Sequence, residues 1–268
     1  MKSWAFRYRT MNRIDRLFQE KKSGILSVYL TAGYPALKDT GALILSLQEN
    51  GADMIEVGIP FSDPMADGPV IQRSSQIALT NGMNLDLLFR QVEEVRAEVS
   101  IPLVLMGYLN PIYHMGMEHF LERCRESGID GVIIPDLPPD EYEEQYREQF
   151  ISGGIHHILL VTPQTSDERI RKIASLSGGF LYLVASASTT GARESVSRQQ
   201  EEYFRRISEM QLSLPGMIGF GISSRETFLS ACRHAQGAII GSAFIEAIGK
   251  EGSLEEKVRD FMRGINGN

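Results

Sequence analysis

Cysteine and tryptophan are scarce in this chain of 268 residues, which has two of the first and one of the second. Cys124 and Cys232 each stand inside a helix-like segment with no second Cys or His at ligand spacing. A disulfide framework and a zinc site are thereby excluded, and a reducing, cytoplasmic setting is expected. No apolar run approaches the roughly 20 residues that span a bilayer, so the expectation is a soluble protein. Clustered Lys and Arg are also missing, and the formal net charge is −7. Without a basic surface to neutralise phosphates, a nucleic-acid role is disfavoured and a small-molecule or protein partner is favoured. The first ten residues carry Lys2, Arg7 and Arg9 without acids but lack the apolar centre of a signal peptide. Residues 1–11, which hold the sole tryptophan, Trp4, are expected to be a frayed extension, with the ordered domain over 12–268.

What the chain does have is alternation. Short apolar, β-branched runs recur at Leu26–Thr31, Met54–Val57, Leu103–Met106, Gly131–Pro135, Ile158–Val161, Phe180–Val184, Met217–Phe220 and Ala238–Ile240. Segments with helical spacing separate them, as in Leu85, Leu88, Val92, Val95 and Val99. Eight strand–helix units predict a parallel sheet buried on both faces and closed into a (β/α)8 TIM barrel. No G-x-G-x-x-G opens a helix after the first strand, as an open dinucleotide-binding sheet would show. Asn12 and the spacing of Ile14, Leu17 and Phe18 predict an extra N-terminal helix, and the connections after strands two and six are the longest.

In such barrels the chemistry lies at the C-terminal strand ends. Glu56 closes the apolar run Met54-Ile55-Glu56-Val57, and a loop rich in Pro and Gly then carries Asp63 and Asp67. A carboxyl buried there would have a raised pKa and could serve as a general acid and base; the alternative is a strand-edge glutamate beside a solvated acidic turn. Strand seven runs into Gly219-Phe220-Gly221 and strand eight into Gly241-Ser242. Small residues after the last two strands, the second pair opening a short helix, are suited to a phosphate, although glycines there also serve plain turn geometry. None of the seven lysines ends a strand, where an imine-forming lysine would stand. His156 and His157 are adjacent and would point in opposite directions, and no His/Asp/Glu set has metal-ligand spacing. Acid–base chemistry at Glu56 and Asp67 remains.

The run Glu56-x-Gly58-x-Pro60-Phe61-Ser62-Asp63-Pro64-x-Ala66-Asp67-Gly68-Pro69 resembles the signature of the tryptophan synthase α subunit family. The likeness extends through Thr31-Ala32-Gly33-Tyr34-Pro35, Tyr108-x-Asn110-Pro111, Pro135-Asp136-Leu137-Pro138, Thr190-Gly191-Ala192 and Gly241-Ser242-Ala243, from Asn12 to Gly267. The resemblance implies retro-aldol cleavage of indole-3-glycerol phosphate to indole and glyceraldehyde 3-phosphate, with no cofactor in this chain. It implies that Glu56 transfers the protons, that Asp67 hydrogen-bonds the ring N–H, and that Tyr182 places its hydroxyl near Glu56. By the same resemblance Tyr29, Ile71, Met106, Ile133 and Tyr182 line an indole pocket. Gly191, Gly221, Gly241 and Ser242 hold the phosphate, and Thr190 is the lid threonine that meets Asp67. The chain reads Ser188-Thr189-Thr190-Gly191 where many family members read Gly-Val-Thr-Gly.

A partner is implied as well: a pyridoxal-phosphate β subunit that receives indole within an α2β2 complex. Asp63, Pro64, Met65, Asn110 and Pro111 are the expected interface, part of an apolar rim that also includes Pro60, Phe61, Leu109 and Ile112. Two other readings stay open from the residues themselves: a different phosphate-binding barrel, such as a sugar-phosphate isomerase or indole-glycerol-phosphate synthase, and a binding subunit without turnover.

Overall fold

The segment from His156 to Val161 closes the sheet. In the computed structural model, which describes residues 11–185, 198–219 and 221–267, the strands are β1 Ile25–Thr31, β2 Met54–Gly58, β3 Leu103–Met106, β4 Gly131–Ile133, β5 His156–His157, β6 Leu160–Val161, β7 Leu181–Val184, β8 Gly216–Gly219 and β9 Gly237–Ile240. They pair in the order β5-β4-β3-β2-β1-β9-β8-β7-β6. The two ends of that order, β5 and β6, are neighbouring pieces of one stretch of chain. On one side the Ile158 N–H bonds to the Val132 carbonyl at 2.9 Å, and on the other the Tyr182 N–H bonds to the Leu159 carbonyl at 3.1 Å. All pairs are parallel, and the result is a (β/α)8 barrel.

The sequence reading places a single fifth strand over Ile158–Val161, whereas the structure splits that position around Ile158 and Leu159. One half must pair with β4 and the other with β7, so no single register runs the full length. The fourth strand stops at Ile133 rather than Pro135, since proline has no N–H to continue a ladder.

Alternation along the strands sorts the core into two shells. Ile25, Met54, Val104, Ile133, Ile158, Phe180, Met217 and Ile239 fill the barrel interior. Leu26, Val28, Leu30, Ile55 and Val57 face outward against helical residues such as Leu43, Leu47, Leu88 and Phe120. The helix Arg13–Glu20 contributes Ile14, fully buried, to the interior shell. Asn12 caps this helix by accepting the Ile14 N–H at 2.9 Å, and its amide donates to the carbonyls of Asp130 and Gly154.

Asp130, just before β4, binds three parts of the chain together. Its Oδ1 accepts from Arg13 at 2.9 Å, and its Oδ2 from the Leu103 N–H at 3.0 Å and Arg96 at 3.4 Å.

The paired histidines do point apart. His156 meets Asp15 at 2.9 Å, while His157 is 1% exposed and packs its ring 4.2 Å from Tyr142 and 5.1 Å from Phe150. Neither ring nitrogen of His157 has a hydrogen-bond partner among the described residues, and burial lowers its pKa from 6.5 to about 3. Because the folded state holds this ring neutral, its contribution to stability is complete above pH 6.5 and is lost as pH falls from there toward 3. At pH 5 the loss is about 2 kcal/mol. His157→Leu is expected to remove that acid sensitivity, read as a urea midpoint that changes more favourably than wild type's on going from pH 7.5 to pH 5, by the equivalent of about 2 kcal/mol. Equal shifts in the two proteins would refute it.

Candidate active site

At the C-terminal mouth, main-chain bonds continue past the strands and fix where the loops begin. Ala32 donates to the Gly58 carbonyl at 3.0 Å, Ile59 to Met106 at 2.8 Å, Gly107 to Ile133 at 3.0 Å and Ala185 to Gly219 at 3.1 Å. Within this frame Glu56 pairs in register with Tyr29 of β1 and Val104 of β3. Its side chain is fully buried, and neither carboxyl oxygen has a hydrogen-bond partner among the described residues. An unpaired charge there would be costly, so burial pushes its pKa from 4.5 to about 8. The strand-edge, solvated alternative is thereby removed: Glu56 is a protonated carboxylic acid at neutral pH.

Two tyrosines flank it. The Tyr29 ring lies against Gly58 and the Tyr182 ring against Gly219, and a Cβ at either glycine would overlap the phenol. Sequence reasoning treats Gly219 only as part of a phosphate turn; its missing side chain is also what leaves room for Tyr182. Burial, followed by the charges of Glu56, Asp67 and Tyr29, pushes the Tyr182 phenol well above its usual range. Tyr29 shifts the same way, chiefly from burial and next from Asp67. Both stay neutral.

Asp67 ends the turn in which its N–H bonds to the Pro64 carbonyl at 3.2 Å. The amide of Gln72 ties that turn down through the carbonyls of Asp67, at 2.9 Å, and Pro64, at 3.3 Å. The helix Pro69–Thr80 follows directly, with proline at its start, where an N–H would be unused. It is held to β1 by the Thr31 and Ser74 hydroxyls, 2.7 Å apart. Burial raises the Asp67 pKa from 3.8 to about 6, opposed by a hydrogen bond from the Tyr108 hydroxyl. Two carboxyls are thus driven apart, one protonated and one ionised at neutral pH, as acid–base work requires.

Of the residues expected in the pocket, Tyr29 and Met106 line one cleft together with Asp67. Ile59, Phe61, Ser75, Gly107, Tyr108 and Pro135 complete much of its wall. Ile71, Ile133 and Tyr182 are buried but stand outside that lining, as does Glu56. Tyr108 has no assigned role in the sequence reading, although its motif is noted; an aromatic residue two places past a strand end is the signal that marks it.

Gly221 has φ +79°, a conformation that favours glycine. Gly241 leads into the helix Ser242–Ile248, with Ser242 exposed. Gly191 and Thr190 lie outside the described residues. On the rim Asp63 and Asn110 are exposed, Pro111 is half-buried and Met65 is 91% exposed. Three expected rim residues turn inward instead, the first of them Pro60, which is buried where the chain leaves β2. Ile112 is fully buried because it takes the core face of the helix Leu109–Met115, and Phe61 stacks on Tyr108. Tyr113, 72% exposed on that helix, is an outward residue the sequence reading does not single out.

Topology and site together define a (β/α)8 barrel that holds two carboxyls of raised pKa, Glu56 and Asp67, at its C-terminal mouth. The family model for the tryptophan synthase alpha chain matches residues 15–265. The tryptophan synthase alpha chain of Flavobacterium psychrophilum is 55% identical over 242 residues, covering 90% of this chain and 95% of the relative. That of Parabacteroides distasonis is 52% identical over 255 residues, covering 95% and 99%. Among solved structures, the tryptophan synthase complex from Pyrococcus furiosus contains a chain similar to this one, with TM-score 0.83 and 37% identity over 92% of this chain and 99% of that one. The chain belongs to the tryptophan synthase alpha chain family. Its activity is that family's lyase reaction, cleavage of indole-3-glycerol phosphate. No helix among the described residues is long and apolar enough to cross a membrane.

Proposed function

We propose that Glu56 performs both proton transfers of a retro-aldol cleavage, with Asp67 as the fixed anion for the indole nitrogen. The observation that carries this reading is the buried, unpartnered Glu56 carboxyl with a pKa of about 8. Protonated at neutral pH, it gives its proton to the ring carbon that bears the glycerol chain. Positive charge then grows on the ring nitrogen, where ionised Asp67, accepting the N–H, stabilises the transition state more than the ground state. Glu56, now a buried carboxylate and therefore a stronger base than in water, takes the proton of the adjacent glycerol hydroxyl. The carbon–carbon bond breaks, its electrons return to the ring, and indole and glyceraldehyde 3-phosphate result. Tyr182, a neutral phenol, places its hydroxyl near Glu56. Tyr29 and Met106 from the cleft, with Ile71, Ile133 and Tyr182 behind them, enclose the indole. Gly191, Gly221, Gly241 and Ser242 hold the phosphate, and Thr190 closes on Asp67.

The same reading includes a partner. A pyridoxal-phosphate β subunit docks on Asp63, Pro64, Met65, Asn110 and Pro111 in a cytoplasmic α2β2 complex and receives indole. The exposed Met65 side chain and the resemblance to a chain of the Pyrococcus complex support this. The purified chain should release glyceraldehyde 3-phosphate slowly by itself and faster with a cognate β subunit. Met65→Asp should weaken the complex at least ~10-fold by placing an unpaired charge in its apolar centre. No complex at micromolar concentrations, or unchanged affinity in Met65→Asp, would remove the docking assignment.

A further inference from the structure

Tyr108, two residues beyond the end of β3 at Met106, joins the second and third loops around Asp67. Its ring stacks on Phe61 with centroids 5.2 Å apart and planes inclined by 29°. Its hydroxyl accepts the Ala66 N–H at 2.9 Å and donates to Asp67 Oδ2 at 3.2 Å. A phenol has a single proton, and with its oxygen already facing the Ala66 N–H, that proton is directed to the carboxylate. Asp67 Oδ1 has no hydrogen bond among the described residues. We propose that Tyr108 is a positioning residue for the cleavage: it secures Asp67 by one carboxylate oxygen and thereby presents the other to the ring N–H of the substrate. This proposal rests on the role of Asp67 given above.

The surroundings of Asp67 explain why such a residue is needed. The titratable groups among the described residues that feel its charge are Tyr29, Tyr182 and Tyr108, with Asp136 next to Tyr108. All are acids, and among the described residues no cation shifts the Asp67 pKa. The side chain stands at the end of a turn, free to rotate unless something holds it, and a hydrogen bond to an ionised acceptor is among the stronger holds available. The phenol is suited to this because burial, and then the Asp67 charge, push its pKa up and keep it a donor throughout the working range. The same bond opposes the upward shift that burial imposes on Asp67. Its loss would leave Asp67 both misaligned and more often protonated, and so a weaker acceptor for a nitrogen that is becoming positive.

Steady-state kinetics of the full chain test this. Tyr108→Phe retains the ring and its stack on Phe61 and removes only the hydroxyl. Expected are a fall in kcat of roughly tenfold or more, a KM within about twofold of wild type, and an acid limb of the kcat profile displaced to higher pH. The double variant Asp67→Asn/Tyr108→Phe should be no slower than Asp67→Asn, because Tyr108 acts through that carboxylate. Titration of the Asp67 carboxyl carbon by NMR reads the same bond without turnover and should show a higher pKa in Tyr108→Phe. Wild-type kcat with an unmoved acid limb, an unmoved carboxyl titration, or losses that multiply in the double variant would each overturn the proposal. Wild-type turnover in Asp67→Asn would instead overturn the role of Asp67 itself.

Discussion

Glu56→Gln is expected to lower turnover of indole-3-glycerol phosphate by roughly 10²–10⁴-fold and, in the same molecule, to raise stability at neutral pH. The first effect follows from removing the acid and base. The second follows from the pKa. In the unfolded chain this carboxyl titrates near 4.5 and in the folded protein near 8. A folded-state pKa above the unfolded one means that the group's stabilising share is complete below pH 4.5 and is lost as pH rises through 8. At pH 7 about 3 kcal/mol has been lost, since the unfolded carboxyl ionises freely and the folded one cannot. Glutamine has no such titration. On going from pH 7 to pH 4.5 the urea midpoint of Glu56→Gln should therefore change less favourably than that of wild type, by the equivalent of about 3 kcal/mol. The titration of His157 runs in the opposite direction over part of this range, but it is common to both proteins and cancels in the comparison. Unchanged turnover would remove Glu56 from its role, and an unchanged pH dependence of stability would show that the carboxyl is not held protonated.

Asp130→Ala is the largest structural effect expected away from the site, a loss of about 3–5 kcal/mol. The carboxylate side chain is 4% exposed and that of Arg96 is 10% exposed. Its removal leaves the Arg96 guanidinium without its counter-charge and the Leu103 N–H without its acceptor. Arg13, at 38% exposure, has water available and contributes less. Arg96 also donates to the Ile101 carbonyl at 3.1 Å, so the variant loosens the segment leading into β3 as well as the N-terminal helix. Urea unfolding monitored by circular dichroism checks this. A loss under about 1 kcal/mol would mean that water replaces the carboxylate and that the three-way junction adds little.

The two predictions draw on different kinds of legibility. A buried carboxylate in Met54-Ile55-Glu56-Val57 is visible in the chain because strand periodicity and hydropathy are local properties. The presence of the strands and of the capped helix after Asn12 is visible for the same reason, although several strand ends are not. Asp130 shows no such sign. Its partners Arg13, Arg96 and Leu103 are separated from it by 117, 34 and 27 residues, and nothing in the neighbouring sequence announces them. Tyr108 and Asp67 are likewise 41 residues apart. Ile112 reads as a rim residue from the sequence but faces the core, because an apolar residue after a strand looks the same in sequence whichever way it turns.

By itself the sequence determined the repeating strand and helix periods, and with them the barrel and the end of it on which Glu56 and Asp67 stand. It also determined that Gly58 and Gly219 have no side chain. Only the tertiary structure decided that those gaps are filled by the rings of Tyr29 and Tyr182, that the fifth strand divides to pair with both neighbours, and that Asp67 is held by a phenol from the next loop. The physical reason is range. Backbone preference and burial pattern act over a few residues, whereas ring closure, a desolvated carboxyl and a shared hydroxyl exist only when distant segments meet.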